Sequence, residues 1–155
     1  MLVVKFSNLF RYPFSAESHV FIELQKELKF IEEYLEIEKV RLDDRLQYEI
    51  KVDDELLNFK IPGMILQPIV ENSIIHGISQ MKSGGEVSIK CFMQNSNCVI
   101  EVIDNGKVFN FNNISSGFGI SGVKERLELL YGSKDLLSIV RDQKTKVSIT
   151  IPNES

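Results

Sequence analysis

Tryptophan is absent from this chain, and cysteine and histidine are scarce, at two residues each. Two cysteines, Cys91 and Cys98, make neither a disulfide framework nor a zinc site. They read as reduced, half-buried residues that would face each other only on strands joined by a short turn. No apolar run approaches the roughly 18 residues that a membrane-spanning helix needs. Met1 to Phe10 is too short for a signal peptide and lacks its cleavage pattern. The net charge is −4 and the basic residues form no block, so nucleic acid and anionic membrane are poor default partners. A phosphate ligand stays open, because backbone amides and a metal can hold phosphates without a basic surface. Internal repeats and low-complexity segments are lacking too. What is present is a 155-residue chain, 43% hydrophobic and 26% charged. That suffices for one well-cored domain with little room for a second.

The stretch from Gln67 to Gly77, QPIVENSIIHG, reads as the helix around which the rest is organised. Ile69, Val70, Ser73, Ile74 and Gly77 recur at helical spacing and can pack as one stripe. Gln67, Glu71, Asn72 and His76 fall largely on the remaining surface. Glu71 and Asn72 can lean toward one edge of a cleft, and Asn72 and His76, one turn apart, can address a common ligand. A surface helix with a few polar residues is the plainer alternative. Pro68 favours a helix that starts near it rather than at Pro62.

Upstream, Leu2, Val3, Phe6, Leu9 and Phe10 recur at helical spacing until Pro13, as if the first element began earlier, which suggests a piece of a longer chain. A long amphipathic helix follows, capped by Ser15 or Ser18. Its apolar stripe runs through Val20, Leu24, Leu28, Ile31, Leu35, Ile37 and Val40, and its polar face carries Glu23, Glu27, Glu32, Glu33 and Glu36. Asp43-Asp44 closes it. Leu46 to Val52 alternates as a strand, as do Glu86 to Met93 and Cys98 to Asp104, and the turn between the last two predicts a hairpin. Lys107 to Ser116 reads as a mobile loop. A helix then carries Val123, Leu127, Leu130 and Tyr131 on one face and ends at Gly132. Leu136 to Val140 and Val147 to Ile151 are the last two strands. The pattern predicts an α+β domain, helices on one face of a mostly antiparallel sheet.

Two further stretches can carry chemistry. Asp104-Asn105-Gly106 ends a buried strand. An aspartate there commonly caps a turn, but on the floor of a pocket it can also accept the exocyclic amine of adenine. Guanine would oppose it with an oxygen, a loss of about 1–3 kcal/mol. Gly117-Phe118-Gly119-Ile120-Ser121-Gly122 matches GxGxxG, a weak signal alone. It follows a loop rather than a strand, which argues against dinucleotide binding. Its glycines can still bring backbone amides to phosphate oxygens at a helix start. Asn72 offers a hard oxygen for Mg²⁺, which takes one or two protein ligands plus phosphates and water.

These pieces, in this order, resemble the nucleotide-binding boxes of the GHKL superfamily. Leu66 to Gly77 resembles the N-box of sensor histidine kinases of the LytS/YehU/YesM type. Phe30 to Arg41 (FIEEYLEIEKVR) and Val123 to Gly132 (VKERLELLYG) are similar to further stretches of that family. The resemblance spans nearly the whole chain. It implies a Bergerat α/β sandwich that binds ATP and Mg²⁺: a mixed, mostly antiparallel sheet, preceded by a long N-terminal helix. In that mapping Asn72 is the Mg²⁺ ligand, Asp104 reads adenine, and Glu71 is the acidic, catalytic N-box residue. His76, Gly106, Gly117, Phe118, Gly119 and Ile120 border the nucleotide, and Lys107 to Ser116 is a short lid. Residues 1–42 would be a remnant of dimerisation helices with their connecting helix, and 43–155 the ATP-binding catalytic domain.

The sequence departs from the family pattern at three places. Val108 replaces the last glycine of the Asp-x-Gly-x-Gly box. Ile75 stands where a basic residue often precedes His76. The phosphoacceptor motif is missing, since neither His19 nor His76 has its context, so the acceptor histidine is expected upstream. The reading is a histidine kinase catalytic domain that partners an upstream dimerisation and phosphoacceptor domain, a response regulator and, in the longer protein, a second copy. It would be the cytoplasmic part of a membrane-anchored bacterial protein. The alternative is a degenerate Bergerat domain serving as a nucleotide-sensing or protein-interaction module. An independent gyrase-type ATPase would need a long lid and a transducer domain, which the sequence lacks.

Overall fold

The structure is a computed structural model that describes residues 21–106 and 119–153. In chain order the elements are β1 (Phe21–Glu23), α1 (Leu24–Arg41), β2 (Leu46–Val52), β3 (Lys60–Pro62), α2 (Gln67–Asn72), β4 (Gly85–Gln94), β5 (Asn97–Asp104), α3 (Ile120–Tyr131), β6 (Leu137–Arg141) and β7 (Thr145–Ile151). Five strands form one sheet in the order β2-β4-β5-β7-β6. β2 and β4 run parallel, and the other pairs are antiparallel. A parallel pair cannot be joined by a hairpin and needs a crossover of a dozen residues or more. Residues 53–84 are that crossover, and they carry α2.

Alternation along the strands sorts the sheet into two faces. Val87, Ile89 and Cys91 of β4, Ile100 and Val102 of β5, and Val147 and Ile149 of β7 are buried in one cluster with residues of all three helices. The outer face bears Lys90, Glu101 and Lys146, with Lys146 Nζ 3.6 Å from Glu101. Helices on one face of a mostly antiparallel sheet are what the pattern predicts, and the parallel pair makes the sheet mixed, as the family resemblance implies. Cys91 pairs in register with Ile100, and Cys98 with Met93, so the two thiols are diagonal neighbours rather than opposite ones. Both are buried and free, and burial pushes each up to about 12.

The long helix differs from its sequence pattern at both ends. Ser15, Ser18 and Val20 lie outside the described residues. Phe21–Glu23 is extended and pairs antiparallel with β3, Ile22 opposite Ile61, so α1 starts at Leu24. Leu24, Leu28, Ile31 and Leu35 are buried as expected. Val40 leaves the stripe and is 74% exposed. Five residues past Leu35, it points away from the core, whereas Glu38, three past, stays on the stripe and is buried. Glu27 is also buried, although its charge suggests the polar face. Asp43 and Asp44 close the helix with φ of 53° and 62°, a left-handed conformation that aspartate tolerates better than most residues. Gly132 caps α3 in the same way, with φ 71°.

Glu27 sits 3% exposed, and burial pushes its carboxyl up to about 7 from an ordinary 4.5. Between these values the folded chain retains a proton that the unfolded chain has released. Its contribution to stability is therefore complete below about pH 4.5 and is lost as the pH rises through about 7. Urea denaturation at a series of pH values should show this decline in the native chain and a flatter profile in Glu27→Gln.

Candidate nucleotide-binding site

β5 brings Asp104 to its C-terminal end on the buried face, in register with Val87 of β4 and Thr145 of β7. The side chain is 2% exposed. One carboxylate oxygen accepts the Gly106 N–H at 3.0 Å, and the Ser73 hydroxyl donates to the same carboxylate. Burial holds its carboxyl above the ordinary carboxylate range, and these two hydrogen bonds oppose that shift. A carboxylate offers about four acceptor positions, so capacity for a further donor remains.

The second wall is α2 and its continuation. The sequence reads as one helix to Gly77, but the α-helical turn ends at Asn72. Ser73–Gly77 winds as a wider π turn, and Ile78–Gln80 as a tight 3₁₀ turn. π turns of this kind recur at functional sites. The stripe of Ile69, Val70, Ser73, Ile74 and Gly77 is buried as expected. Gln67 and Asn72 are buried as well, which makes the polar side of α2 an interior edge rather than a solvated face.

Two glycines let this segment close on the end of β5. A Cβ on Gly106 would lie 2.5 Å from the carbonyl carbon of Gly77 and 2.7 Å from both Gly77 Cα and the Ile78 nitrogen. A Cβ on Gly77 would lie 3.2 Å from Asp104 Oδ1. Between them, Asn105 extends the ladder: its Oδ1 accepts the Glu86 N–H at 2.7 Å.

The Asn72 carboxamide is 8% exposed, and its Nδ2 has no hydrogen-bond partner among the described residues. A buried amide nitrogen that donates to nothing is a group that calls for a partner. Glu71 accepts from Gln67 Nε2 at 3.1 Å. Burial raises its carboxyl above the ordinary range, and the Glu38 carboxylate on α1 raises it further. His76 lies half-buried in the π turn. Gly119 is buried, and its carbonyl accepts from Val123 as α3 begins. Ile120 opens that helix, which packs on α2. Gly117, Phe118, Val108 and the expected lid lie outside the described residues.

The structure thus joins Asp104, Gly106, Ser73 and Gly77 by direct contact, with Glu71, Asn72 and His76 carried on the same segment. Ser73 and Gly77 read only as packing positions in the sequence. The signal for a polar role was Ser73 itself, a hydroxyl amid isoleucine and valine. Thr145, beside Asp104, left no such signal.

This is the fold of a histidine kinase catalytic domain. The catalytic domain of histidine kinase ThkA superposes with a TM-score of 0.61 over 85% of this chain and 94% of its own, at 13% identity. The histidine kinase AdeS of Acinetobacter baumannii superposes with a TM-score of 0.60 over 99% of this chain and 78% of its own, at 15% identity. Over nearly its whole length the chain is similar to part of sensor histidine kinases. It is 33% identical to sensor histidine kinase BtsS of Escherichia coli across 97% of its residues and 27% of that protein. It is 32% identical to sensor protein LytS of Oceanobacillus iheyensis across 97% of its residues and 28% of that protein. A family model described as histidine kinase matches residues 1–46. The chain spans about a quarter of the length of these two relatives.

The Gly77 and Gly106 contact makes a prediction. Gly106→Ala drives a methyl group into the Gly77 backbone, which cannot move aside as a flexible side chain would. It should destabilise the fold by about 1–3 kcal/mol, read as a lower midpoint in urea denaturation.

Proposed function

We propose that this chain is the ATP-binding catalytic part of a two-component sensor histidine kinase. The observation that carries the reading is Asp104, a buried carboxylate with spare acceptor capacity at the end of a central strand, held against the segment that presents Asn72. Its free acceptor position takes the exocyclic amine of adenine. The Asn72 carboxamide, buried and incompletely bonded, can turn its oxygen to Mg²⁺. The donor set suits that ion, which takes few protein ligands and completes its shell with phosphates and water. Mg²⁺, when bound, neutralises phosphate charge.

The γ-phosphoryl group passes from ATP to a histidine on dimerisation helices outside this sequence, and then to a response-regulator aspartate. Glu71 serves as proton acceptor for that histidine. Burial, which raises its pKa, makes that carboxylate a stronger base than an exposed one. Positioning and charge neutralisation supply most of the rate in such transfers. Gly119, Ile120 and His76 line the phosphate side. ThkA has been solved in complex with the response regulator TrrA, which supports a response regulator as partner here. The longer protein dimerises and is membrane-anchored, with this domain in the cytoplasm. Among the described residues, no helix is long and apolar enough to cross a membrane.

Exposed Ile75 favours a second reading. It is 42% exposed at the position where the family often has a basic residue. An apolar residue there suits a degenerate domain used for protein contact.

Calorimetry separates the two. The kinase reading expects ATP and ADP to bind, GTP to bind at least about tenfold more weakly, and Mg²⁺ to strengthen ATP binding. Asp104→Asn should erase the preference over GTP, and Asn72→Ala the Mg²⁺ effect. Equal affinity for GTP, or none for ATP, defeats the reading. ATP binding should also weaken as the pH falls through the raised pKa of Asp104, because the proton occupies the acceptor that adenine needs. Asp104→Asn should flatten that dependence.

A further inference from the structure

Glu27 on α1 and Arg126 on α3 are a buried and a half-buried titratable group whose side-chain hydrogen bonds, among the described residues, go to the backbone ahead of α2. Both act on the Gly63-Met64-Ile65-Leu66 connection between β3 and α2. The Glu27 carboxylate accepts the N–H groups of Met64 and Leu66, each at 2.5 Å. The Arg126 guanidinium donates to the carbonyl of Gly63 at 2.7 Å and to that of Met64 at 3.4 Å. Met64 has φ of 60°, a left-handed backbone that a residue of its size leaves unless it is held. Leu66 is the N-cap of α2 and has no capping side chain; its own N–H is held by a carboxylate from another helix. The connection is gripped by its amides from one side and by its carbonyls from the other, and α2 begins where the grip ends.

We propose that Glu27 and Arg126 are positioning residues that hold α2 in place, so that Glu71, Asn72 and Ser73 stay beside Asp104. This rests on the nucleotide-binding reading above. Glu27 belongs to the helix leading from the N-terminal part of the chain. Arg126 belongs to the helix that follows the glycine motif. Charge-assisted hydrogen bonds are short and directional, so a displacement of either helix is passed to the start of α2.

The test uses the 155-residue chain with Glu27→Leu, Glu27→Gln and Arg126→Met, read by amide resonances and by calorimetry with ATP and Mg²⁺. Glu27→Leu fills the same space without the acceptor. It should shift the resonances of residues 71–77, including the Asn72 side-chain amide, leave those of β6 in place, and weaken ATP by about tenfold or more. Glu27→Gln keeps one acceptor oxygen but sets an amide N–H against one of the two backbone N–H groups, so its affinity should fall between those of native and Glu27→Leu. The Glu27→Leu/Arg126→Met double variant should be no weaker than the weaker single variant, because both act through one loop. Shifts confined to α1 and residues 63–66, with native affinity, overturn the proposal. If Glu27→Leu does not fold, Glu27→Gln and Arg126→Met are judged by the same two readouts. If the native chain binds no ATP, the proposed function falls, and the resonance shifts alone decide the positioning role.

Discussion

A carboxylate taken out of water has to be supplied with hydrogen-bond donors, and at the end of β5 they come from two parts of the chain. The Gly106 amide is local. The Ser73 hydroxyl arrives from the crossover between β2 and β4. Left without either donor, a buried charge of this kind costs about 1–3 kcal/mol or more. Much of the local architecture follows from meeting that need. The crossover must lie flat against the strand end, and it can do so only where both backbones lack side chains, at Gly77 and Gly106.

The same closeness accounts for the irregular winding after Asn72. A regular α-helix would advance its side chains by a constant angle, and the π turn delays that advance by one residue per turn. The change comes directly after the candidate ligand Asn72, within the segment whose Ser73 and Gly77 meet Asp104. The regular helix carries Glu71 and Asn72, and the irregular turn carries Ser73 and His76 and makes the close backbone approach at Gly77.

α1 contributes charge as well as apolar surface. Glu27 grips the connection leading to α2, and Glu38 bonds with Arg41 while raising the pKa of Glu71. Burying carboxylates is costly unless they are paired or hydrogen-bonded, and these two are. An apolar stripe alone would have anchored the helix. The buried acids in addition tie its position to the neighbouring segment.

Alternation and helical spacing were enough to read the core strands, the stripe of α2, the closure of α1 at Asp43-Asp44 and the end of α3 at Gly132. Each depends on a few consecutive residues: side-chain direction repeats every two or 3.6 positions, and a glycine or aspartate tolerates a left-handed turn locally. Asp104 and Asn72 stood out for a similar reason, as polar groups set among apolar neighbours. The short strand at Phe21–Glu23, the parallel pairing of β2 with β4, the burial of Glu27 and the π turn were decided only in the folded molecule. Each depends on a partner far along the chain: Ile61 for Ile22, Gly85 for Leu46, Leu66 for Glu27, and Asp104 for Ser73. Local patterning prescribes which way a side chain points, while the group it meets there is chosen by how the distant segments pack.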